Sequence, residues 1–501
     1  MLSSLPKTMI SFSMILAFLL SMVVQDSTCL SEEHIDLSHF RNKLIRHRVG
    51  IPLSQAPFTS APSPSETARR GRVVNPIGYG ADPTGADDSS DAILKAIAEG
   101  FAIGRSDEFH ELVAGVRDLG GVVIDLQGGN YKISKPITFP SYVGNVVVQG
   151  GTLRASDKFP PDRHLVELSA SNSHNLQEPA ASIHRHHHHG FNSKKLQQNI
   201  GIYYEDITFR DIFFDSSYRG GGILIVDSAR VRITNCFFLH FTTEGIQVQR
   251  GHETYISSTF LGQHSTVGGD KGEREFSGTA IDLASNDNAI TDVSIFSAAI
   301  GIVLRGQANM ITGVHCYNKA TAFGGIGILV KLAGYSQTRI DNCYMDYTGI
   351  VMEDPVQVHV TNGFFLGGAN IVLKSIKGKV SGLNIVDNMF SGKWNQVPIV
   401  ALDGQFSSID QVVIDRNNVY GSMSLRSTVS KLTVAGNGSK WVADFSNVLV
   451  FPNRISHFQY SFYSQGEPKF LAHSVTNVSN NVVVVESEKQ VQGVVSFFIE
   501  Q

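Results

Sequence analysis

The chain has 501 residues, of which 42% are hydrophobic and only 17% charged. Roughly 25% charged is ordinary for a soluble domain, so this composition excludes an extended disordered scaffold and leaves apolar surface for a long core. Forty-one basic against 45 acidic residues give a formal charge of −4, which excludes the global basic field that recruits nucleic acid.

At the N-terminus Lys7 precedes an apolar run from Met9 to Val24, and small and polar residues continue to Cys29. That order describes a secretory signal peptide over residues 1–29. A membrane anchor would need about 20 apolar residues, and this run is broken by Ser11, Ser13 and Ser21. The protein is therefore expected to be secreted and extracellular, with no membrane association after cleavage. Residues 30–72 read as a pro-region or linker, with Pro52, Pro57, Pro62 and Pro64 among Ser and Ala and a candidate processing site at Arg69 to Arg72. Beyond Cys29 the cysteines are Cys236, Cys316 and Cys343; a large core needs no staples, and the last two are read as stacked thiols or, less simply, a disulfide. Two sequons, at Asn437 and Asn477, suit the secretory pathway.

The folded part should begin near Val73. Asp87 to Ala98 has helical spacing of Ala92, Ile93, Ala96 and Ile97 after a Gly/Asp/Thr turn, which suits a helix capping an open end. Ser169 to Asn199 is a polar excursion holding His184-Arg185-His186-His187-His188-His189. A metal site needs ligands fixed by a scaffold, so this run reads as a loop rather than a site.

An internal repeat dominates the chain from Gly222 onward. A small residue and an aliphatic strand recur at Gly222, Gly245, Ala280, Gly301, Gly327, Gly349 and Asn370, in steps of 23, 35, 21, 26, 22 and 21. A second signature, an aliphatic strand ending in an aromatic, recurs from Val231–Phe238 to Val412–Tyr420 with the same single long step. One insertion therefore lies between Phe260 and Ala280. About 22 residues per repeat with short strands is one coil of a right-handed, single-stranded parallel β-helix. Asn235, Asn342 and Asn362 recur at matching places, as an asparagine turn ladder requires. The β-helix is assigned to residues 73–421 and a β-rich C-terminal cap to 422–501.

The entry, Ile77-Gly78-Tyr79-Gly80-Ala81-Asp82-Pro83-Thr84-Gly85-Ala86-Asp87-Asp88, precedes Gly120-Gly121-Val122-Val123-Ile124-Asp125. It resembles the entry of the pectin-lyase-like superfamily, and the details resemble plant polygalacturonases of the QUARTET type, similar to glycoside hydrolase family 28. The resemblance implies hydrolysis of α-1,4-galacturonosyl bonds in demethylated pectin, a place in the plant cell wall, a role in pollen tetrad separation, and no cofactor. Typical polygalacturonases carry Asn-Thr-Asp, Asp-Asp, Gly-His-Gly and Arg-Ile-Lys on successive coils. Aligned through the repeat, these fall on Thr242-Thr243-Glu244, Gly278-Thr279, Ile300 and Leu329-Val330-Lys331. A carboxylate survives at Glu244 and a lysine at Lys331, while the paired acids and the histidine do not.

Inverting hydrolysis needs an acid for the leaving oxygen and a carboxylate for water, about 6.5–9.5 Å apart. Ile246, Ile281, Ile302 and Ile328 face inward, so Asp282 stands outward beside Gln247 and near the turn carrying Glu244. Glu244 and Asp282 are the expected catalytic pair, with Asp270, Glu273 or Glu275 of the insertion in reserve. Arg305 and Lys331 lie three residues after their inward Ile on neighbouring coils and are expected, with Gln247, to bind substrate; Arg suits a uronate carboxylate through its fork. The expected protein is a monomeric enzyme acting on pectin, without nucleic acid, membrane or metal. Two alternatives stand beside it. A lyase would need Ca²⁺, for which no dense Asp cluster on neighbouring coils speaks. A non-catalytic wall-polysaccharide-binding β-helix would fit the missing Asp-Asp and His.

Overall fold

The computed structural model describes residues 73–102, 111–170, 201–263, 277–317, 324–392, 397–466 and 470–501. The leader, the pro-region, the histidine run and the charged insertion lie outside the described residues. The described chain winds into a right-handed parallel β-helix whose strands pair with equivalents one coil away, all in parallel. Among the described residues no helix is long and apolar enough to cross a membrane.

From Gly221 onward the coils have three strands rather than the two that the repeat suggests, while Tyr204–Asp215 runs unbroken through two of the sheets. In one coil these are Gly221–Val226, Arg232–Thr234 and Phe237–Leu239, which we call the front, side and back sheets. The second signature spans both the side and back strands, and the chain turns a corner inside it. Asn235, Asn342 and Asn362 hold that corner at φ 51, 53 and 55. Asn tolerates this left-handed conformation better than most residues because its short side chain bonds locally. They do not form a stacked ladder: Asn235 donates to Asp211, and Asn362 to Asp341. The buried ladders are Asn288 to Asn309 (2.8 Å) and Asn388 to Asn417 (3.0 Å).

Inward positions stack into columns. Ile223, Ile246, Ile281, Ile302, Ile328, Ile350 and Ile371 are all fully buried along the front sheet. Each contributes about 1.5–3 kcal/mol by leaving water, which is why this column admits so little variation. On the back sheet Phe214 stacks on Phe238 at 4.5 Å, and Phe365 on Phe390 at 4.5 Å. Cys236, Cys316 and Cys343 are buried free thiols.

The N-terminal end is closed by helix α1, Ser90–Ala102, which buries Ile93, Ala96, Ile97 and Phe101. Asp88 starts it by accepting from the Ser90 backbone N–H (3.1 Å). The entry motif has a local reason for its residues: Asp82 accepts from the Thr84 and Asp87 backbones, which pins the turn and holds its carboxyl down to about 2. At the other end Val429–Asp444, His457–Ser464, His473–Ser479 and Val482–Glu500 form an antiparallel sheet with its own core around Trp441, Phe445 and Phe497.

Candidate active site

The front sheet sets the outward chemistry by register. Glu167 of His164–Leu168 pairs with Leu224, Leu224 with Gln247, Gln247 with Asp282, and Asp282 with Val303. Beyond Val303 this column turns aliphatic through Leu329 and Val351. Polar chemistry in this column is thus confined to its N-terminal half, while at the strand ends further on Glu353 pairs with Lys374 at 3.5 Å. At the strand starts a second column runs His164, Gly221, Glu244, Thr279. Gly245 and Ile246 are both buried, so the chain bends between them and Glu244 and Gln247 both face out although three residues apart.

Glu244 faces a buried imidazole across this groove. His164 Nε2 lies 3.5 Å from its Oε2, an ion-pair distance rather than a hydrogen bond. Burial disfavours the charged Glu244, but the His164 imidazole, Thr243 and the field of Arg305 outweigh it and hold the carboxyl below its ordinary range. His164 belongs to the coil two below Glu244 and reaches it across Gly221. A Cβ at 221 would stand 2.3 Å from His164 Cδ2 and 2.5 Å from the Glu244 carbonyl oxygen. Glycine is required there so that the imidazole can pass. His164 is itself almost fully buried, and among the described residues its Nε2 has no hydrogen-bond partner.

Asp282, with its side chain 10% exposed, is clamped by Arg305 from the next coil. Arg305 Nε donates at 2.8 Å and Nη2 at 2.9 Å, a bidentate fork that raises the guanidinium pKa further. Arg305 is therefore neither a free cation nor the stacking partner of Lys331 alone. Lys331 lies one coil further on, its N–H donating to Leu304. Gln247 stands beside Asp282 in register. Glu167 is buried and forked by Arg163 at 2.8 and 2.5 Å, which fixes the strand that presents His164.

The structure therefore brings Glu244, Gln247, Asp282 and Arg305 into one groove and places Lys331 at its C-terminal margin. Asp270, Glu273 and Glu275 lie outside the described residues. His164 and Glu167 escaped the sequence reading. Leu165 stands where the repeat has its small residue, and the polar excursion separates this coil from the next. The Val166 to Ile223 register carries the missing signal.

The β-helix and this groove define a protein of the pectin-lyase-like class. The chain is 50% identical over 445 residues to polygalacturonase QRT3 of Arabidopsis thaliana, covering 88% of this chain and 86% of that protein. It belongs to the family of QRT3-type polygalacturonases. No family model matches the chain. Among solved structures it is similar to the A-module of mannuronan C-5 epimerase AlgE4 from Azotobacter vinelandii, at 12% identity and TM-score 0.45 over 70% of this chain and 97% of that one. It is also similar to an endo-xylogalacturonan hydrolase from Aspergillus tubingensis, at 10% identity and TM-score 0.45 over 71% and 95%.

Proposed function

We propose that this chain is a secreted polygalacturonase that hydrolyses α-1,4-galacturonosyl bonds of demethylated pectin in the plant cell wall. The observation that carries this reading is Glu244, held ionised beside His164, one coil from an Asp282 that is joined to Arg305. An ionised carboxylate suits the base, and a second carboxyl across the groove suits the acid.

A galacturonate chain brings one carboxylate per sugar, which competes with Asp282 for the Arg305 fork. Lys331 supplies a point charge for the next sugar, and Gln247 a hydrogen bond to a hydroxyl. When Arg305 turns to the substrate, both Asp282 oxygens are freed and one takes a proton from solvent. Glu244 accepts a proton from water as that oxygen bonds to C1. The C1–O4 bond breaks, and O4 takes the proton from Asp282. The product is the inverted anomer.

The apolar leader run and the sequon residues Asn437 and Asn477, both exposed, support passage through the secretory pathway. The test is reducing-end release from polygalacturonic acid, with Glu244→Gln as control. The variant should lose about 10²–10⁴ in kcat while still binding polymer. An unsaturated product would overturn the hydrolase in favour of a lyase, and binding without turnover by the unaltered protein would leave a binding protein.

A further inference from the structure

The side sheet carries a second groove, on a different sheet from the candidate active site. Its volume is 690 Å³. Ligand pockets generally span about 300–1,000 Å³. Its floor is an in-register column on successive coils, Arg339, His359 and Asn384, closed by Val413. Gln337, Gln357 and Gln411 rise beside this floor on the same coils.

Two features mark the groove as built for a ligand. The three glutamines hold left-handed φ values of 41, 55 and 51, while Gly382 takes the same place on the coil between at φ 60. A left-handed non-glycine residue costs about 1–2 kcal/mol. The same corner is left-handed on the preceding coils, at Asp287 (φ 58) and Ala308 (φ 56), so the turn belongs to the fold and what distinguishes this stretch is the row of amides it presents. The amides are also held in place: Gln337 Nε2 donates to Gln357 Oε1 (2.9 Å), and Asn384 Nδ2 bonds His359 Nε2 (2.9 Å). The second feature is charge. Among the described residues no carboxylate lines the groove, and Arg339 is exposed there.

We propose that this groove binds an acidic polysaccharide laid along the helix axis, distinct from the chain held on the front sheet. Side-chain amides both donate and accept, as sugar hydroxyls do, so a row of them fits a glycan better than a peptide or a lipid. Coils about 4.8 Å apart offer roughly one polar rung per sugar of an extended chain. Arg339 forks to a uronate carboxylate. The choice of galacturonan as the acidic polymer rests on the proposed function.

The test is affinity electrophoresis of the full chain through native gels containing polygalacturonate, neutral galactan, polyglutamate or no polymer. Arg339→Ala combined with Gln357→Ala should weaken retention by polygalacturonate about 10-fold, with unchanged mobility in the empty gel. Front-sheet binding is present in both proteins and cancels in the comparison. Equal retention of the two proteins overturns the proposal. Polyglutamate retaining the unaltered protein as strongly as polygalacturonate overturns the glycan, and galactan doing so overturns the uronate. If the double variant loses its melting transition, Arg339→Gln tests the cation alone by the same comparison. Reducing-end release by the unaltered protein is measured in parallel. Its absence would sink the hydrolase reading and leave the retention comparison standing.

Discussion

Gly221→Ala is the sharpest perturbation of the proposed site, because it touches no reacting atom yet stands between two groups that must meet. The glycine has ordinary negative φ, so the effect is one of space rather than backbone conformation. The added methyl would lie 2.3 Å from His164 Cδ2, 2.6 Å from His164 Nε2 and 2.5 Å from the Glu244 carbonyl oxygen. The backbone oxygen cannot yield cheaply, since it belongs to a strand paired on both sides; overpacking of this kind costs about 1–3 kcal/mol. The imidazole must move away from Glu244. With the imidazole gone, burial of Glu244 is opposed only by Thr243 and Arg305, so its proton is held more tightly than before. The acid limb of the kcat/KM profile should shift to higher pH, and kcat/KM at mildly acidic pH should fall about 10–100-fold. Stability carries the same sign. A carboxyl depressed in the folded state contributes stability above its unfolded pKa of about 4.3, and this is lost as pH falls through the folded value. Gly221→Ala forfeits that contribution. The assay is reducing-end release against pH for Gly221→Ala, His164→Ala and the double variant. If the glycine acts through the imidazole, the double variant loses no more activity than His164→Ala. Full additivity, or a Gly221→Ala enzyme with unaltered rate and acid limb, would refute the reasoning.

Arg305→Ala should do more than raise KM, as a purely substrate-binding arginine would, because it strips the fork from Asp282. A largely buried carboxylate left without its partner costs about 2 kcal/mol, between the exposed and fully buried limits, so Tm and kcat should fall together with substrate affinity. A change confined to KM would show that the clamp plays no part in turnover. His315 and Asp346, on adjoining back-sheet strands, should oppose each other in a pH titration of Tm. Burial holds the His315 imidazole down to about 4, so it favours the folded state above pH 6.5 and that stability is lost as pH falls toward 4. Burial pushes Asp346 up to about 6 from an ordinary 3.8, so its contribution runs the other way, growing as pH falls through 6. Asp346→Asn should steepen the acid loss of Tm, and His315→Phe should flatten or reverse it; identical slopes in both variants would refute the pairing.

The period and the inward column were legible because packing leaves few choices there: Ile246, Ile281, Ile302 and Ile328 recur since each meets the same neighbours one coil away. Register then placed Gln247 beside Asp282 from sequence alone. What sequence could not give was any contact that depends on a side chain leaving its own coil. Arg305 reaches back to Asp282 through a rotamer, and His164 crosses an intervening coil through a gap that only Gly221 reveals. The corner inside the second signature was hidden for another reason. Asn235 turns the chain without breaking the aliphatic run, so side and back strands read as one.

These contacts also set how much of the solenoid the proposed site needs. Val166 and Ile223 are paired neighbours although the polar excursion lies between them in sequence. Closing a longer loop costs little extra entropy, because the penalty grows only with the logarithm of its length. An insertion can therefore grow between two coils without disturbing the strands it joins. The groove takes His164 from the coil before the excursion, Glu244 and Gln247 from the second coil after it, and Asp282 and Arg305 from the two coils beyond. A fragment beginning at Gly221 would keep both proposed catalytic carboxyls yet lose the imidazole that holds Glu244 ionised, and with it the asymmetry between base and acid. The proposed catalytic unit is thus the stack from the strand His164–Leu168 to Arg305, which follows the strand Ala298–Leu304, not the coils that carry the carboxyls alone.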